Sequence, residues 1–491
     1  MDDSKMEPKE KMRIPPEIFS FFMAPGGHSL IVRGNAGTGK TTFALQVIED
    51  LGTAEDGYYV STRVSDESLL IQFPWLKDRM ISPFKSKTGM EAARPDRMRS
   101  GLTKMKGIGG SQGGPVRKEM SISIGKELSD VEFIYDMVEK DRKVRRIFVI
   151  DSIDALAERY GIQPNLLITS LQKDLVEGYG QNLLYVLESP EPLLDYLGDG
   201  VVVMNRTDVD RRRVREIELL KLRGCEITRP RYLFTLRNGK MMTFNLDFTR
   251  RDASNALWSP IPDVDGKVSS GMPDLDRLIG GGIDRGSIVL VELGQSVPLN
   301  VAETIERSFV SNFIMLNRGV LWFPSRRVSA ETVRTQMSEI VPKEKFEKQV
   351  RVPEVASQVE LSAQFIMPVE GANAGTDLKW KNVSYMLGGG EQPYLSLLGF
   401  DTLESIYGEK VMDQIMDHLG AMKKNKGVAV CVTTQSTNST SRLSDIASVH
   451  IKIDSVGGTT IVYGERPFTE CNAITFEADG AIVRAHLTPV V

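Results

Sequence analysis

The 491-residue chain predicts an α/β protein built from two tandem domains with mainly parallel sheets, the second a degenerate copy of the first. Three observations carry that expectation: a phosphate-binding loop set between an apolar strand and an amphipathic helix, a second apolar strand that ends in a carboxylate, and a run of matching segments recurring in order in the second half.

The loop is Gly34-Asn35-Ala36-Gly37-Thr38-Gly39-Lys40-Thr41-Thr42, with the spacing Gly34-x4-Gly39-Lys40-Thr41 of a P-loop. His28–Arg33 enters it as an apolar run of strand length. The segment 41–50 leaves it with Phe43, Ala44, Val47 and Ile48 on one helical face. Glycines let backbone N–H groups close around phosphate oxygens, and the positive end of the following helix adds to the attraction. In such a loop Lys40 reaches the β- and γ-phosphates of ATP and the Thr41 hydroxyl binds Mg²⁺.

Arg145–Asp151 is an apolar strand ending in Asp, about 110 residues after the loop. Any buried strand can end in Asp. At this distance from a P-loop, followed by Ser152-Ile-Asp-Ala-Leu156, it reads as the Walker B carboxylate that holds Mg²⁺. A further strand is expected at Leu183–Leu187.

The second half repeats the first. Gly286–Gly294 answers Gly27–Gly34, Ser325–Val333 answers Ser61–Leu69, and the stretch 397–405 answers 148–155, which places Asp401 at the Walker B position. Each half closes on a hairpin signal, Asn238-Gly239 and Asp479-Gly480. The second loop is broken: Leu299-Asn300-Val301 stands where Gly-Lys-Thr would be, and Pro298 removes an N–H. The expected domains are 12–250, with a basic insertion at about 77–125, and 268–491, joined by a polar linker at 251–267 containing Pro260 and Pro262.

Composition excludes several classes. Hydrophobic residues at 41% and charged residues at 26% are those of an ordinary soluble protein, not a disordered one. No apolar run reaches 18 residues, so no membrane span is expected, and the charged N-terminus lacks a signal core. Cys225, Cys431 and Cys471 are far apart, as expected of reduced cytoplasmic thiols without a metal. The net charge of −4 conceals an asymmetry. Residues 77–118 hold 11 Lys or Arg against 3 Asp or Glu, and residues 206–231 hold 9 against 5. Such segments read as solvated loops, as contacts for an acidic protein partner or as contacts for DNA. The single aromatic of the first, Phe84, argues against base stacking. Arg211–Arg215 in the second reads equally as the lining of a subunit interface.

The chain resembles the tandem RecA-type ATPases of the KaiC kind. The resemblance rests on Ser269–Gly282, Lys221-Leu-Arg-Gly224 and Arg231–Leu236, and it spans most of both halves. Within that group Met12–Phe19, the loop, Ser61–Ser68 and Gln72-Phe-Pro-Trp75 are similar to the archaeal gas-vesicle GvpD family. The resemblance implies two RecA-like domains and an ATP-binding regulator on the repressing side of gas-vesicle gene expression, acting on a protein activator. It also implies that Lys221 and Arg223 reach the γ-phosphate of a neighbouring subunit in a ring. KaiC-type enzymes carry a Glu pair after the second strand that activates water. Here the matching residues are Arg63 and Val64, and an Arg that stays charged accepts no proton. Asp66 and Glu67 are nearby substitutes, so the catalytic residue is left unassigned. The other reading is a DNA-dependent ATPase like the RecA and RadA recombinases.

Overall fold

In a computed structural model the described residues are 13–52, 56–63, 66–78, 128–244, 249–251, 257–356, 363–388, 390–479 and 481–491. The basic insertion expected at about 77–125 therefore lies outside them, apart from its first two residues. The side chains of Asp66 and Glu67 do too. The chain divides into two compact units. Met1–Asn205, Ile217–Pro230 and Asn238–Met242 form one, and Arg206–Glu216, Arg231–Arg237 and Thr243–Val491 form the other.

The first sheet is built from β1 (Ser29–Arg33), β2 (Asp56–Ser61), β3 (Arg146–Asp151), β4 (Asn182–Val186), β5 (Gly200–Val209), β6 (Arg212–Leu222), β7 (Arg231–Thr235) and β8 (Met242–Thr243). Its order is β2-β3-β4-β1-β5-β6-β7-β8, and β2 through β5 in that row run parallel. Every residue of β1 and β4 is buried, which explains their continuous apolar runs: a parallel sheet is covered on both faces. The helix Lys40–Leu51 follows β1 and buries Phe43, Ala44 and Val47 completely, with Ile48 only partly covered.

The second sheet uses β9 (Thr249–Arg251), β10 (Ile288–Leu293), β11 (Arg318–Phe323), β12 (Val350–Val355), β13 (Ile366–Val369), β14 (Glu391–Gly399), β15 (Val428–Thr433), β16 (Val449–Val456), β17 (Thr459–Arg466), β18 (Asn472–Asp479) and β19 (Ile482–Pro489). They are ordered β13-β12-β11-β14-β15-β10-β16-β17-β18-β19, with β9 against β18. Within this row β11-β14-β15-β10-β16-β17 repeats β2-β3-β4-β1-β5-β6 strand for strand. The expected fold is therefore the observed one, two RecA-like α/β domains, the second a degenerate copy. β12 and β13 extend the second sheet in parallel beyond the repeated strands.

Turns follow the expected chemistry in one place and depart from it in another. Asn238 and Gly239 take left-handed φ values of 59° and 70° between β7 and β8. The turn joining β5 to β6 is Asp210-Arg211, with φ of 43° and 67°, and carries no glycine to announce it. Arg212, just past that turn, departs from the reading of its basic run as a surface, while Arg211 and Arg213 are exposed. Its guanidinium is buried 4.0 Å from the Phe468 ring centroid and 4.5 Å from that of Tyr463. It donates to the carbonyls of Thr469, Asp210 and Gly464 and pairs with Glu465.

Candidate nucleotide-binding site

The loop 34–39 leaves the carboxyl end of β1, in the middle of the parallel strands. There the backbone must turn sharply into the helix Lys40–Leu51. Gly34, Gly37 and Gly39 do so with φ of 150°, 74° and 101°, conformations that L side chains rarely adopt. A Cβ at Gly34 would also overlap the Met204 carbonyl. Asn35 and Thr38 brace the loop, since the Thr38 hydroxyl donates to the Asn35 carbonyl at 2.9 Å. Ala36 lies at the exposed outer turn of the loop and Thr42 is buried in the first turn of the helix.

Lys40 is 7% exposed, and its ammonium donates to the carbonyls of Gly34 at 2.6 Å and Asn35 at 3.1 Å. Burial lowers its pKa, and nearby Glu188, Asp151 and Asp154 oppose that shift, Glu188 most. The Thr41 hydroxyl donates to Asp151 Oδ2 at 2.6 Å, and the Tyr59 phenol donates to the same oxygen at 2.7 Å. The two expected metal-binding residues are thus side by side. Thr62 ties down the backbone behind them: its hydroxyl donates to the Asp151 carbonyl and accepts from Ser152 N–H, across a cis Asp151–Ser152 peptide. A hydroxyl beside a carboxylate, at the foot of a glycine cradle with a buried ammonium, is the donor set that suits Mg²⁺ on a nucleotide phosphate, where the ion keeps several waters. Among the described residues no cluster of three or more His, Cys, Asp or Glu competes for a metal.

Lys221 and Arg223 are elsewhere. Lys221 donates to the Gly198 carbonyl at 2.6 Å, and Arg223 pairs with Asp199 at 3.0 Å, itself bonded to Ser29 at the start of β1. These residues flank the amino ends of the parallel strands, the length of β1 from Gly34.

Sequence reasoning passed over Tyr59, Thr62, Asp154 and Glu188. Glu188 was the one with a signal, since it directly follows the apolar run Leu183–Leu187, as Asp151 follows Ile147–Ile150. Its N–H donates to Asp154 Oδ2 at 2.6 Å, and its carboxylate pairs with Arg63 at 3.2 Å.

The second unit has no such site. Gly399 ends β14, and Asp401 lies beyond it, in the first turn of the helix Phe400–Tyr407. Its Oδ1 accepts from Thr437 at 2.6 Å and Thr434 at 3.1 Å. Asp401, expected at the Walker B position without an evident metal to hold, anchors this loop. The strand β14 ends two residues before it.

Fold and site together define a RecA-like P-loop nucleotide-binding protein. Comparisons refine this. A family model for the GvpD gas vesicle protein P-loop domain matches residues 18–221, and one for GvpD basic region 2 matches residues 257–370. The chain is 24% identical to protein GvpD2 of Halobacterium salinarum and 22% identical to GvpD1 of the same organism, each match covering 97% of this chain and 96% of the relative. It is 26% identical to the circadian clock oscillator protein KaiC of Prochlorococcus marinus over 66% of this chain and 61% of KaiC. The chain belongs to the GvpD family, within the KaiC-related P-loop ATPases. The matched basic region is not basic here: residues 257–370 hold twelve Lys or Arg against fifteen Asp or Glu. Among the described residues no helix is long and apolar enough to cross a membrane.

Proposed function

We propose that this protein is an ATP-controlled regulator. It binds one ATP with Mg²⁺ per chain, in the first half, and its nucleotide state governs its hold on a protein partner in transcriptional control. The observation that supports it most is the pairing of Thr41 with Asp151 beneath the glycine loop, with no counterpart around Asp401. Lys40 is already poised at the loop, and exchanging two carbonyls for phosphate oxygens improves its partners electrostatically. Family membership supports a role in the gas-vesicle system, with repression through a protein activator as its specific form. Hydrolysis, where it occurs, is slow, because Arg63 occupies the place of the usual carboxylate.

Lys221 and Arg223 act, on this proposal, in a ring of identical subunits. At the amino ends of the strands they are remote from their own P-loop, so any phosphate they meet belongs to a neighbouring chain.

The test is affinity capture of partners by the full chain with ATP, with ADP and without nucleotide. A partner retained only with ATP supports the reading. Partner capture indifferent to nucleotide overturns it, and ATPase activity strongly stimulated by single-stranded DNA would replace it with the DNA-dependent reading.

A further inference from the structure

Glu188 occupies a position that the expected chemistry leaves unassigned. It follows β4, which lies between β1 with its P-loop and β3 with Asp151. The register sets Val186 level with Val32 on one side and Asp151 on the other. Two residues on, Glu188 is flanked by the loop that begins at Gly34 and by the Walker B carboxylate. In open α/β sheets ligands gather at these carboxyl ends.

The carboxylate is also held in place. Its backbone N–H bonds to Asp154 at 2.6 Å, in the helix that follows Asp151. The loop beyond it is clamped to β1, because Arg33 binds Asp195 through two nitrogens and donates to the Pro190 carbonyl at 2.6 Å. Among the charged groups around Lys40, Glu188 acts on it more strongly than Asp151 does. A carboxylate near the ammonium that grips the γ-phosphate is well placed for the water that attacks that phosphate.

Arg63 Nη1 lies 3.2 Å from Glu188 Oε1. The pair is half in solvent, with side-chain exposures of 54% and 34%. An ion pair of that kind is weak, so a phosphate can compete for the arginine. While it persists, Glu188 Oε1 is engaged by the guanidinium and is not open to a water.

We propose that Glu188 is the water-activating residue of this site and that Arg63 is the latch that restrains it. This rests on the reading that the first half binds ATP. In the step, the water oxygen bonds to the γ-phosphorus and the water proton passes to Glu188. The bond from the γ-phosphorus to the β,γ-bridging oxygen breaks, and its electron pair leaves on ADP. The arginine that replaces the usual carboxylate after β2 thus restrains a different carboxylate, one supplied by β4.

The experiment compares the full-length parent with Arg63→Gln, Glu188→Gln and the double variant, in single-turnover hydrolysis and in calorimetric affinity for ATP and ADP. Arg63→Gln should hydrolyse ATP several-fold faster than the parent. The double variant should be slower than Arg63→Gln by about 10²-fold or more, the usual contribution of a general base. Affinity supplies the second readout: Arg63→Gln should weaken ATP several-fold more than ADP, because Glu188 then faces the γ-phosphate uncompensated, and the double variant should restore the parent ratio. Arg63→Gln no faster than the parent, a double variant as fast as Arg63→Gln, or ATP and ADP weakened equally would each overturn the proposal. A parent that binds no ATP would instead overturn the proposed function on which it rests.

Discussion

Thr41 Oγ1 and Asp151 Oδ2 lie 2.6 Å apart although 110 residues of chain separate them. The contact joins the helix after β1 to the end of β3, with β4 between those strands, so it forms only when the sheet has its full order. The contact therefore depends on the folded sheet of this unit.

Lys40→Ala should abolish ATP binding, because the triphosphate loses the buried ammonium at the loop. The parent should bind one ATP per chain by calorimetry. Two sites per chain, or an unchanged affinity in the variant, would contradict the assignment of the site to the first half.

Tyr59→Phe removes one of two donors to Asp151 Oδ2. Burial first, and then the Asp151 charge, push the phenol far above its usual range, so it remains a donor at every pH the protein tolerates. The variant should need several-fold more Mg²⁺ for half-maximal ATP binding while keeping near-parent affinity at saturating Mg²⁺. A hydrogen bond to a charged group is worth about 1.5–3 kcal/mol, so a loss of stability of that order should accompany it in denaturant titrations.

Arg212→Ala should destabilise the second unit by about 3 kcal/mol, since it leaves Glu465 with only the exposed Arg211 as partner and the Thr469 and Asp210 carbonyls without this donor. Arg212→Lys should recover little of this, because a single ammonium cannot reproduce the planar fork between Tyr463 and Phe468. Thermal unfolding of both variants checks it.

Two buried groups of the second unit give stability opposite pH slopes. Burial lowers the His418 pKa to about 4, against 6.5 in the unfolded chain. As pH falls from 6.5 to 4 the unfolded chain gains a proton that the folded protein refuses, so stability is lost on the acid side. Burial raises Glu306 to about 7, against 4.5. As pH rises from 4.5 to 7 the folded protein must give up a proton the unfolded chain has already lost, so that contribution disappears on the neutral side. The stability of Glu306→Gln relative to the parent should therefore rise across this second interval, by on the order of 3 kcal/mol at its limit. A pH-independent difference between the two proteins would exclude Glu306 as the source.

Local sequence showed what depends on local chemistry. Gly34, Gly39, Lys40 and Thr41 fall within eight residues, and Asp151 ends an apolar run, so the glycine loop and the two residues that meet beneath it could be named from sequence. The doubled fold was legible too, because the same strand patterns recur in the same order. Tyr59 and Glu188 were hidden because their role depends on which strands become neighbours, and β4 inserting between β1 and β3 is a property of the whole sheet. Arg212 was misread because a run of arginines looks the same whether it faces water or the rings of Tyr463 and Phe468, more than 240 residues later in the chain. The partners of Asp401 were hidden because Thr434 and Thr437 lie on a loop that only the sheet order brings beside it.

The end of β14 also limits what could be rebuilt in the second half. Gly399, where β14 ends, has the Ser325 backbone pressed against it: a Cβ would stand 2.5 Å from Ser325 N and 2.6 Å from Pro324 O. A side chain there would collide with that backbone, and Asp401 is engaged by Thr434 and Thr437. Restoring Gly-Lys-Thr at 299–301 would rebuild half a site facing an occupied wall. A nucleotide site in the second half is therefore not recovered by a change at a single position.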